Sequence, residues 1–549
     1  MQGEQDGPLV WFDGEVYQAR SAIPKDPGPG DIIALARDGG DELREVDGLF
    51  SLACYDPGAC ELVLANDRFG FRPLYVTETK DFFAYAAEVK ALLAVLDKLP
   101  AIDEVSLRQF FGFEHMLGER TWWQGIELLP PASLWRFCGK GEQDSSSNGW
   151  TKRRYWSFEE IKRDPRPVDD VIEEFGRVWS ETVERRARPG TMPLLLSGGI
   201  DSRCLLAELR EQGADVVAIT FGARGCEDMR IAARCAGLAG VPHRCLELTE
   251  KNWWEGREES IWQTDGLVNA LHHHVVIARN EMHAIRLHSL KSISADVIIQ
   301  GRNVSSEPEG TWRRNPGSVL LSKYVENPFF SREEVLSASA PDAQRYVEGP
   351  SPDCFGFSHR SRRFSIYGGL VLASYCYVIP AYGSFPLLSL VLGSLRDEDR
   401  RENRFFGRFL VRRYPRFFRS IPYQRTGRGL LEPLPLRVWR NFAEEGRRRL
   451  HDLAASCSAS VPGMWRLARS TKPIDRGFAD YAVFLNTGAV QRKLLERPLL
   501  ADDLLQGAAR AILQTPVKNH SHELRVLSSV LTLETYLRQV TGFAQPVSF

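Results

Sequence analysis

The chain has 549 residues, of which 43% are hydrophobic and 26% are charged. These values are ordinary for globular proteins, and the length predicts two to four domains, each large enough to bury a core. Its 70 basic and 71 acidic residues give a net charge of −1, so charge gives no reason to expect nucleic acid or a membrane surface as a partner.

The ten cysteines are scattered and form no Cys-x-x-Cys pair, which predicts reduced, mostly buried thiols in a cytoplasmic protein. Residues 1–8 are polar and acidic, unlike a signal peptide. The longest apolar stretch, 366–395, is interrupted by Tyr, Ser, Gly and Pro. We predict that it forms a buried helix pair rather than a membrane span.

Residues 1–140 have a β-rich pattern, in which short apolar runs alternate with turn residues such as Pro57 and Gly58. The pattern predicts two hairpins and then a helix. The predicted strands are 49–55, 62–65, 73–76 and 82–87, and the predicted helix is 88–96.

From Pro193 the pattern changes to alternating strands and helices, which predicts a parallel sheet covered by helices. The region after residue 320 is expected to be largely helical. We place the domain boundary close to Pro165 and Pro167, which divides the chain into 1–160 and 161–549. The predicted strands are 194–196, 216–220, 241–248 and 297–299, and the predicted helices are 169–188, 202–209 and 228–236.

The strongest motif is Ser197-Gly198-Gly199-Ile200-Asp201-Ser202, between a predicted strand and a predicted helix. Two glycines let main-chain amides turn toward one centre, and the helix N-terminus adds partial positive charge. With the two serine hydroxyls, these groups predict a cradle for a phosphate chain, and Asp201 is the natural Mg²⁺ ligand. The alternative is a plain strand–helix turn with Asp201 near a helix cap. No Gly-Lys-Ser/Thr follows, so the motif is not a Walker P-loop.

This string resembles the PP-loop of ATP-pyrophosphatases, and further strings are similar to the asparagine synthetase family. Phe12-Asp13-Gly14-Glu15-Val16-Tyr17, for example, is similar to the family's Asn-Gly-Glu-Ile-Tyr. The strings occur in the family's order over most of residues 10–250. They are 12–17, 46–50, 68–70, 73–75, 87–92, 123–132, 154–156, 197–202, 220–222, and Asp228 with Ala232 and Ala233.

The resemblance implies an α/β fold with two parts. The first is an N-terminal truncated Ntn-type (αββα) glutaminase-like domain. The second is a parallel-sheet PP-loop domain, similar to the adenine nucleotide α-hydrolases, with a helical C-terminal extension. It also implies ATP and Mg²⁺ as cofactors, with Asp201 on the metal. The implied ATP-binding residues are Leu196, Ser197, Gly198, Gly199, Asp201, Ser202, Thr220, Phe221, Gly222 and Gly301.

The sequence departs from the family pattern at its start. Family members carry a catalytic cysteine directly after the initiator methionine, whereas this sequence has Gln2 there and its first cysteine is Cys54. We therefore expect no glutamine hydrolysis by this polypeptide. Either the first half-domain has been lost or the true start lies upstream.

Two further departures concern the predicted ATP site. The family's Gly-x-Gly-x-Asp loop would put Ser305 at the second Mg²⁺ carboxylate, and Glu307 or Asp265 are the candidates to replace it. The family's C-terminal catalytic lysine has no clear counterpart, and Arg425 lies near its place. An arginine there could neutralise developing phosphate charge but could not act as a base. A plain loop around residues 301–307 and a solvated basic helix face over 396–428 are the alternatives.

The resemblance implies an amide-forming ligase that converts ATP to AMP and pyrophosphate. A small-molecule or peptide carboxylate would take AMP, and ammonia or an amine of the same substrate would attack it. β-Lactam synthetases and lasso-peptide cyclases are similar in lacking the cysteine. The alternatives are a degenerate nucleotide-binding protein, an asparagine synthase with an upstream start and, more distantly, a tRNA-modifying enzyme. A packing or surface role, rather than metal binding, is expected for His272, His273 and His274. The oligomeric state stays open.

Overall fold

The structure is a computed structural model. It describes residues 7–19, 28–139, 149–249, 251–285, 288–291, 311–321, 323–424, 429–430, 446, 488–515 and 521–543. Within these ranges, no helix is both long enough and apolar enough to span a membrane.

Eight strands in residues 9–154 form two antiparallel sheets. They are β1 (Leu9–Ala19), β2 (Val46–Asp56), β3 (Glu61–Asn66), β4 (Tyr75–Glu78), β5 (Phe83–Ala86), β6 (Ile126–Leu128), β7 (Ser133–Cys138) and β8 (Trp150–Arg154). The five-stranded sheet has the order β1-β2-β3-β7-β8, and the three-stranded sheet has the order β5-β4-β6. Both predicted hairpins are confirmed, since β2 pairs with β3 and β4 with β5.

The two sheets pack face to face because alternate residues of their strands are apolar. Ala53 of β2, Leu64 of β3 and Trp135 of β7 share one buried cluster with Val76 of β4. Three helices complete this half of the chain, and the first of them packs into the main core through buried alanine and isoleucine side chains. They are α1 (Pro29–Arg37), α2 (Val89–Leu93) and α3 (Glu104–Phe113).

The second sheet system is a five-stranded parallel sheet, as predicted. Its strands are β9 (Met192–Leu195), β10 (Val216–Gly222), β11 (His243–Glu247), β12 (His288–Lys291) and β13 (Tyr377–Pro380). The order β11-β10-β9-β12-β13 puts β9 in the centre, with Leu194 opposite Ala218 on one side and Leu290 on the other. The strand predicted at 297–299 lies outside the described residues.

Helices make up most of the described residues after 160 that lie outside this sheet, and the largely helical region after residue 320 is confirmed. They are α4 (Val168–Arg186), α5 (Ile200–Glu211), α6 (Glu227–Ala239), α7 (Arg257–Gln263), α8 (Arg279–Ile285), α9 (Thr311–Arg314), α10 (Gly317–Leu321), α11 (Arg332–Gln344), α12 (Pro352–Gly356), α13 (Tyr367–Leu370), α14 (Phe385–Ser394), α15 (Asp397–Arg400), α16 (Arg404–Arg413), α17 (Pro415–Phe418), α18 (Gly488–Leu495), α19 (Leu500–Leu504), α20 (Ala508–Gln514) and α21 (Ser521–Phe543).

The prediction of a helix pair over 366–395 was partly wrong. The stretch begins and ends in helices, α13 and α14, but strand β13 lies between them. Its Tyr-Val-Ile run has the β-branched and aromatic residues that pack well on a pleated surface, and it pairs in parallel with β12. The edge strand β13 therefore comes from a segment for which hydropathy alone had predicted a helix.

One buried and one half-buried ion pair join the antiparallel sheets to the second half of the chain. Arg186 at the end of α4 pairs with Asp47 at 2.8 Å, and the two side chains are 1% and 8% exposed. The other oxygen of Asp47 accepts the N–H of Phe385 at 3.1 Å. Arg154 binds both oxygens of Glu348, at 3.0 and 3.1 Å. Because a buried charge without its partner is strongly destabilising, these pairs fix how the two halves meet.

Candidate functional site

The candidate site lies at the carboxyl end of β9, where the order in which strands are added to the sheet reverses. From β9 the chain continues to β10 on one side, and later returns to β12 on the other side. Loops leaving two adjacent strands in opposite directions open a crevice at this point, which is where open parallel sheets bind their ligands. The predicted Ser-Gly-Gly loop occupies this position between β9 and α5.

The loop is closed by its own serine side chains. The Ser202 hydroxyl accepts the main-chain N–H of Ser197 at 3.0 Å and lies 3.0 Å from the Ser197 hydroxyl. The Ser197 hydroxyl also accepts the N–H of Gly199 at 3.2 Å. Gly199 is the N-cap of α5 and provides no side-chain cap, and the first N–H groups of a helix have no acceptor within the helix itself. The result is a tight turn in which the N–H groups of Ser197 and Gly199 are bonded to the loop's own hydroxyls.

Gly198 is held on three sides and has no room for a side chain. Its N–H donates to Oδ1 of Asp228 at 2.6 Å, and its carbonyl accepts a hydrogen bond from Arg203 at 2.8 Å. A Cβ at this position would lie 2.8 Å from Asp228 Oδ1 and 3.0 Å from Cβ of Gln424. The sequence motif predicts the glycine. Asp228 was predicted only through the family resemblance, and Gln424 was not predicted as a site residue.

The residues present fit an oxyanion ligand. The carboxylate of Asp228 is itself an oxyanion on the Gly198 amide, so this N–H points to a position that suits a negatively charged oxygen. The N-terminus of α5 adds partial positive charge at the same place. These are the donor types that hold a phosphate chain.

Asp201 lies in the first turn of α5 and is half-buried. Its main-chain carbonyl accepts the hydroxyl of Tyr382 at 3.0 Å, and the Tyr382 ring stacks on Trp179 with 4.5 Å between centroids. This packing fixes the backbone from which the Asp201 carboxylate projects. No group of three or more His, Cys, Asp or Glu within the described ranges is arranged to hold a metal ion.

The end of β10 lies beside the loop. The Thr220 hydroxyl bridges to the carbonyl of Leu196 at 2.7 Å and to Nε2 of His243 at 2.8 Å, and burial lowers the pKa of His243. Phe221 is half-buried and packs against the cluster around Trp253. The structure therefore brings nine of the ten residues predicted to bind ATP to the carboxyl ends of β9 and β10. The tenth, Gly301, lies outside the described residues.

Comparisons with known proteins agree with this geometry. A glutamine amidotransferase domain model matches residues 32–156, and an asparagine synthase model matches residues 177–349. The chain belongs to the asparagine synthetase family. The fold class expected from the resemblance, a glutaminase-like domain followed by a parallel-sheet synthase domain with a helical C-terminal region, is confirmed.

Relatives of this asparagine synthetase family member are distant. Asparagine synthetase [glutamine-hydrolyzing] 3 of Bacillus subtilis is 29% identical over 170 residues, which cover 30% of this chain and 26% of the relative. A putative asparagine synthetase of Mycobacterium tuberculosis is 23% identical over 323 residues, or 55% and 49% of the two chains. Amidase chyE of Penicillium rubens is 22% identical over 256 residues, or 43% and 36%. The chain thus matches between about a quarter and about half of each relative's length.

Asp265 is not available to replace the family's second metal carboxylate. Its two oxygens accept the N–H groups of Val89 and Lys90 at 2.9 and 3.1 Å, and the Lys90 ammonium lies 3.4 Å away. Burial raises its pKa to about 6 despite these partners. Asp265 therefore caps the start of α2. The other two residues considered at this position, Ser305 and Glu307, lie outside the described residues.

Arg425, the predicted catalytic residue, also lies outside the described residues. The residue before it, Gln424, is described, and its Cβ and Cγ lie 3.0 Å from the place that a Cβ on Gly198 would take. The chain that leads to Arg425 therefore reaches the loop at Ser197–Ser202.

The histidine run is structural, as predicted. His272 lies 3.1 Å from Glu114, His273 bonds the hydroxyl of Ser260 at 2.8 Å, and His274 bonds Arg257 at 3.2 Å. Burial holds the pKa of His273 and of His274 well below the usual value.

Several thiols of this family member are in settings that oppose thiolate formation. A nucleophilic cysteine needs a lowered pKa or an adjacent base. Burial instead raises the pKa of each thiol in the following set: Cys54, Cys204, Cys235, Cys245 and Cys354. Cys54, Cys204, Cys235 and Cys354 are buried packing residues, whereas Cys245 is exposed.

Proposed function

We propose that the protein is an ATP-dependent carbon–nitrogen ligase of the asparagine synthase type, which adenylates a carboxylate and then forms an amide. The observation that carries the proposal is the loop at Gly198 and Gly199, whose amides meet the N-terminus of α5 at the carboxyl end of the central strand. Membership of the asparagine synthetase family supports it.

In the first step, a substrate carboxylate oxygen bonds to the α-phosphorus of ATP while the bond from that phosphorus to the bridging oxygen of the β-phosphate breaks. Pyrophosphate leaves with both electrons of that bond. If the loop holds the β- and γ-phosphates, its N–H groups neutralise charge on the leaving group and leave the α-phosphorus exposed to attack. Gly198, Gly199 and the Ser197 and Ser202 hydroxyls would act here.

In the second step, an amine nitrogen attacks the acyl carbon, AMP leaves with the former carboxylate oxygen, and the nitrogen loses a proton. The amine is proposed to be ammonia or an amino group of the same substrate. Burial raises the pKa of five described thiols, which gives no support to any of these cysteines as the nucleophile that would release ammonia from glutamine.

Asp201 is the residue proposed to hold Mg²⁺, which would neutralise phosphate charge beside the first turn of α5. The carboxylate is half-buried and belongs to a helix turn fixed by Tyr382, which supports an ordered ligand rather than a mobile one. Thr220, Phe221 and Gly222, at the end of β10, are proposed to meet the adenine ring.

One observation favours a second candidate function, nucleotide binding without turnover. The Asp228 carboxylate already occupies the Gly198 amide, and the Asp265 carboxylate is committed to α2. A site with fewer available carboxylates and a partly occupied cradle would bind ATP weakly and fail to cleave it.

The test is release of AMP and pyrophosphate from Mg-ATP with pooled carboxylic acids and amines. The ligase predicts equal amounts of both products, dependent on an acid, and a loss of at least about a hundredfold in Asp201→Ala. Asp170→Ala, which changes an exposed aspartate of α4, is the matched control and should keep full activity. ATP binding without any product would favour the second function, and absence of ATP binding would refute both.

A further inference from the structure

Arg203 is a buried cation whose hydrogen bonds within the described part of the chain go to main-chain carbonyls. The residue lies one turn into α5 and is 0% exposed. Its two terminal nitrogens donate to four oxygens, those of Gly198 at 2.8 Å, Phe417 at 3.4 Å, Ile421 at 3.1 Å and Pro422 at 3.0 Å. Among the described residues it has no carboxylate partner within ion-pair distance, and burial lowers its pKa.

The bond to Gly198 determines the direction of the next amide. In a trans peptide the C=O and the following N–H point in opposite directions. Because Arg203 holds the carbonyl of Gly198, the N–H of Gly199 turns away from Arg203 and toward the inside of the loop, where the Ser197 hydroxyl accepts it at 3.2 Å. Arg203 thus orients one of the donors that the proposed phosphate site needs.

The other three bonds hold a segment that is more than 200 residues away in sequence. Phe417 lies in α17, Ile421 and Pro422 follow that helix, and the Arg203 guanidinium lies 5.3 Å from the ring of Phe418. This segment leads directly to Gln424, whose side chain lies against Gly198. One guanidinium therefore holds both the phosphate loop and the segment that covers it.

A lysine could not do the same. Its ammonium is a compact point charge, whereas the planar guanidinium reaches several acceptors in fixed directions. Four carbonyls around one buried group also satisfy most of the guanidinium's hydrogen-bonding capacity without a counter-ion, so its positive charge stays close to the loop.

We propose that Arg203 is a positioning residue that couples the phosphate loop to residues 417–424, so that binding of nucleotide phosphates and ordering of this covering segment occur together. The inference rests on the proposed ATP site. Arg203 would not touch the substrate. It would act through the Gly199 amide and through Gln424.

The experiment compares Arg203→Lys and Arg203→Met with Arg210→Lys. Arg210 is a matched control because it lies on the same helix and also donates to main-chain carbonyls, those of Ala214 and Ala239, away from the loop. Dissociation constants for inorganic pyrophosphate and for adenosine are measured by calorimetry. Coupling predicts a loss of pyrophosphate affinity of at least tenfold in both Arg203 variants, unchanged adenosine affinity, and no effect of Arg210→Lys.

A second measurement uses the unchanged protein, so that misfolding of a variant cannot hide the answer. Addition of pyrophosphate should slow amide hydrogen exchange in the peptide covering 415–424 as well as in the loop. Protection confined to the loop, or Arg203 variants that keep wild-type pyrophosphate affinity, would overturn the inference. If the wild-type protein binds neither ATP nor pyrophosphate, the proposed function itself fails.

Discussion

The carboxylate of Asp228 and the amide of Gly198 form a hydrogen bond of 2.6 Å at the centre of the candidate phosphate site. A negative charge therefore already lies where the proposed ligand would place its own. The pair both organises the loop and competes with the ligand, and these two effects can be separated by substitution.

Replacing Asp228 with Asn should tighten pyrophosphate binding by about threefold to tenfold. The amide oxygen of Asn can still accept the Gly198 N–H, while the repulsion between two negative groups a few ångströms apart disappears. Calorimetric titration at low and high salt measures the effect, and the gain should shrink at high salt. Weaker binding by Asp228→Asn would mean that the carboxylate charge is needed for the site.

Gly198→Ala should reduce pyrophosphate affinity at least tenfold. The new methyl group would meet Asp228 Oδ1 at 2.8 Å and Gln424 at 3.0 Å, so the loop or the covering segment must shift. Gly237→Ala serves as control, because a Cβ there has nothing within 4 Å and the residue lies in α6. That variant should leave binding unchanged and add roughly 0.5–1 kcal/mol of stability. Equal binding by both variants would contradict the geometry.

Asp47→Ala should lower the free energy of unfolding by about 3–5 kcal/mol, because it leaves the Arg186 cation buried without its partner. Urea denaturation measures the change. The double variant Asp47→Ala/Arg186→Met removes the orphaned charge and should recover part of the loss. No recovery would show that Asp47 acts mainly through its bond to the amide of Phe385.

Glu114 should make the protein sensitive to acid. Burial alone would raise its pKa, but His272 and Arg525 together lower it to about 2. A carboxylate whose pKa is lowered in the folded state stabilises that state at pH values above its pKa in the unfolded chain, about 4.3. This contribution to the free energy of unfolding is lost as the pH falls toward 2. The unfolding free energy should therefore fall more steeply between pH 4.5 and 2 in the wild type than in Glu114→Gln. The exposed Glu104→Gln should behave like the wild type.

The sequence predicts those parts of the fold and site that depend on local patterns. The apolar run before Ser197, the two glycines and the helix after them are neighbours in the chain, so strand, loop and helix were recognisable together. The same holds for the hairpins around Pro57-Gly58 and for the parallel sheet expected from Pro193 onward.

Features that depend on distant parts of the chain were not predictable. β12 has the sequence His-Ser-Leu-Lys, which carries little strand signal and forms a strand only because β9 and β13 flank it. Arg203 looks like an ordinary residue of a helix, and the positioning role proposed for it depends on main-chain carbonyls near residue 420. Asp265 was a reasonable metal candidate by composition, but its N–H partners lie some 175 residues earlier in the chain.

The place of β13 at the end of the parallel sheet also has a consequence for synthesis on the ribosome. Residues 292–376, 85 in all, separate β12 from the strand that covers its edge. At roughly 5–20 residues per second, translation leaves that edge without its partner for about 4 to 17 s. An open strand edge can pair with another chain during such an interval. The nascent protein therefore passes through a stage in which the β12 edge of its parallel sheet is open to pairing with another chain.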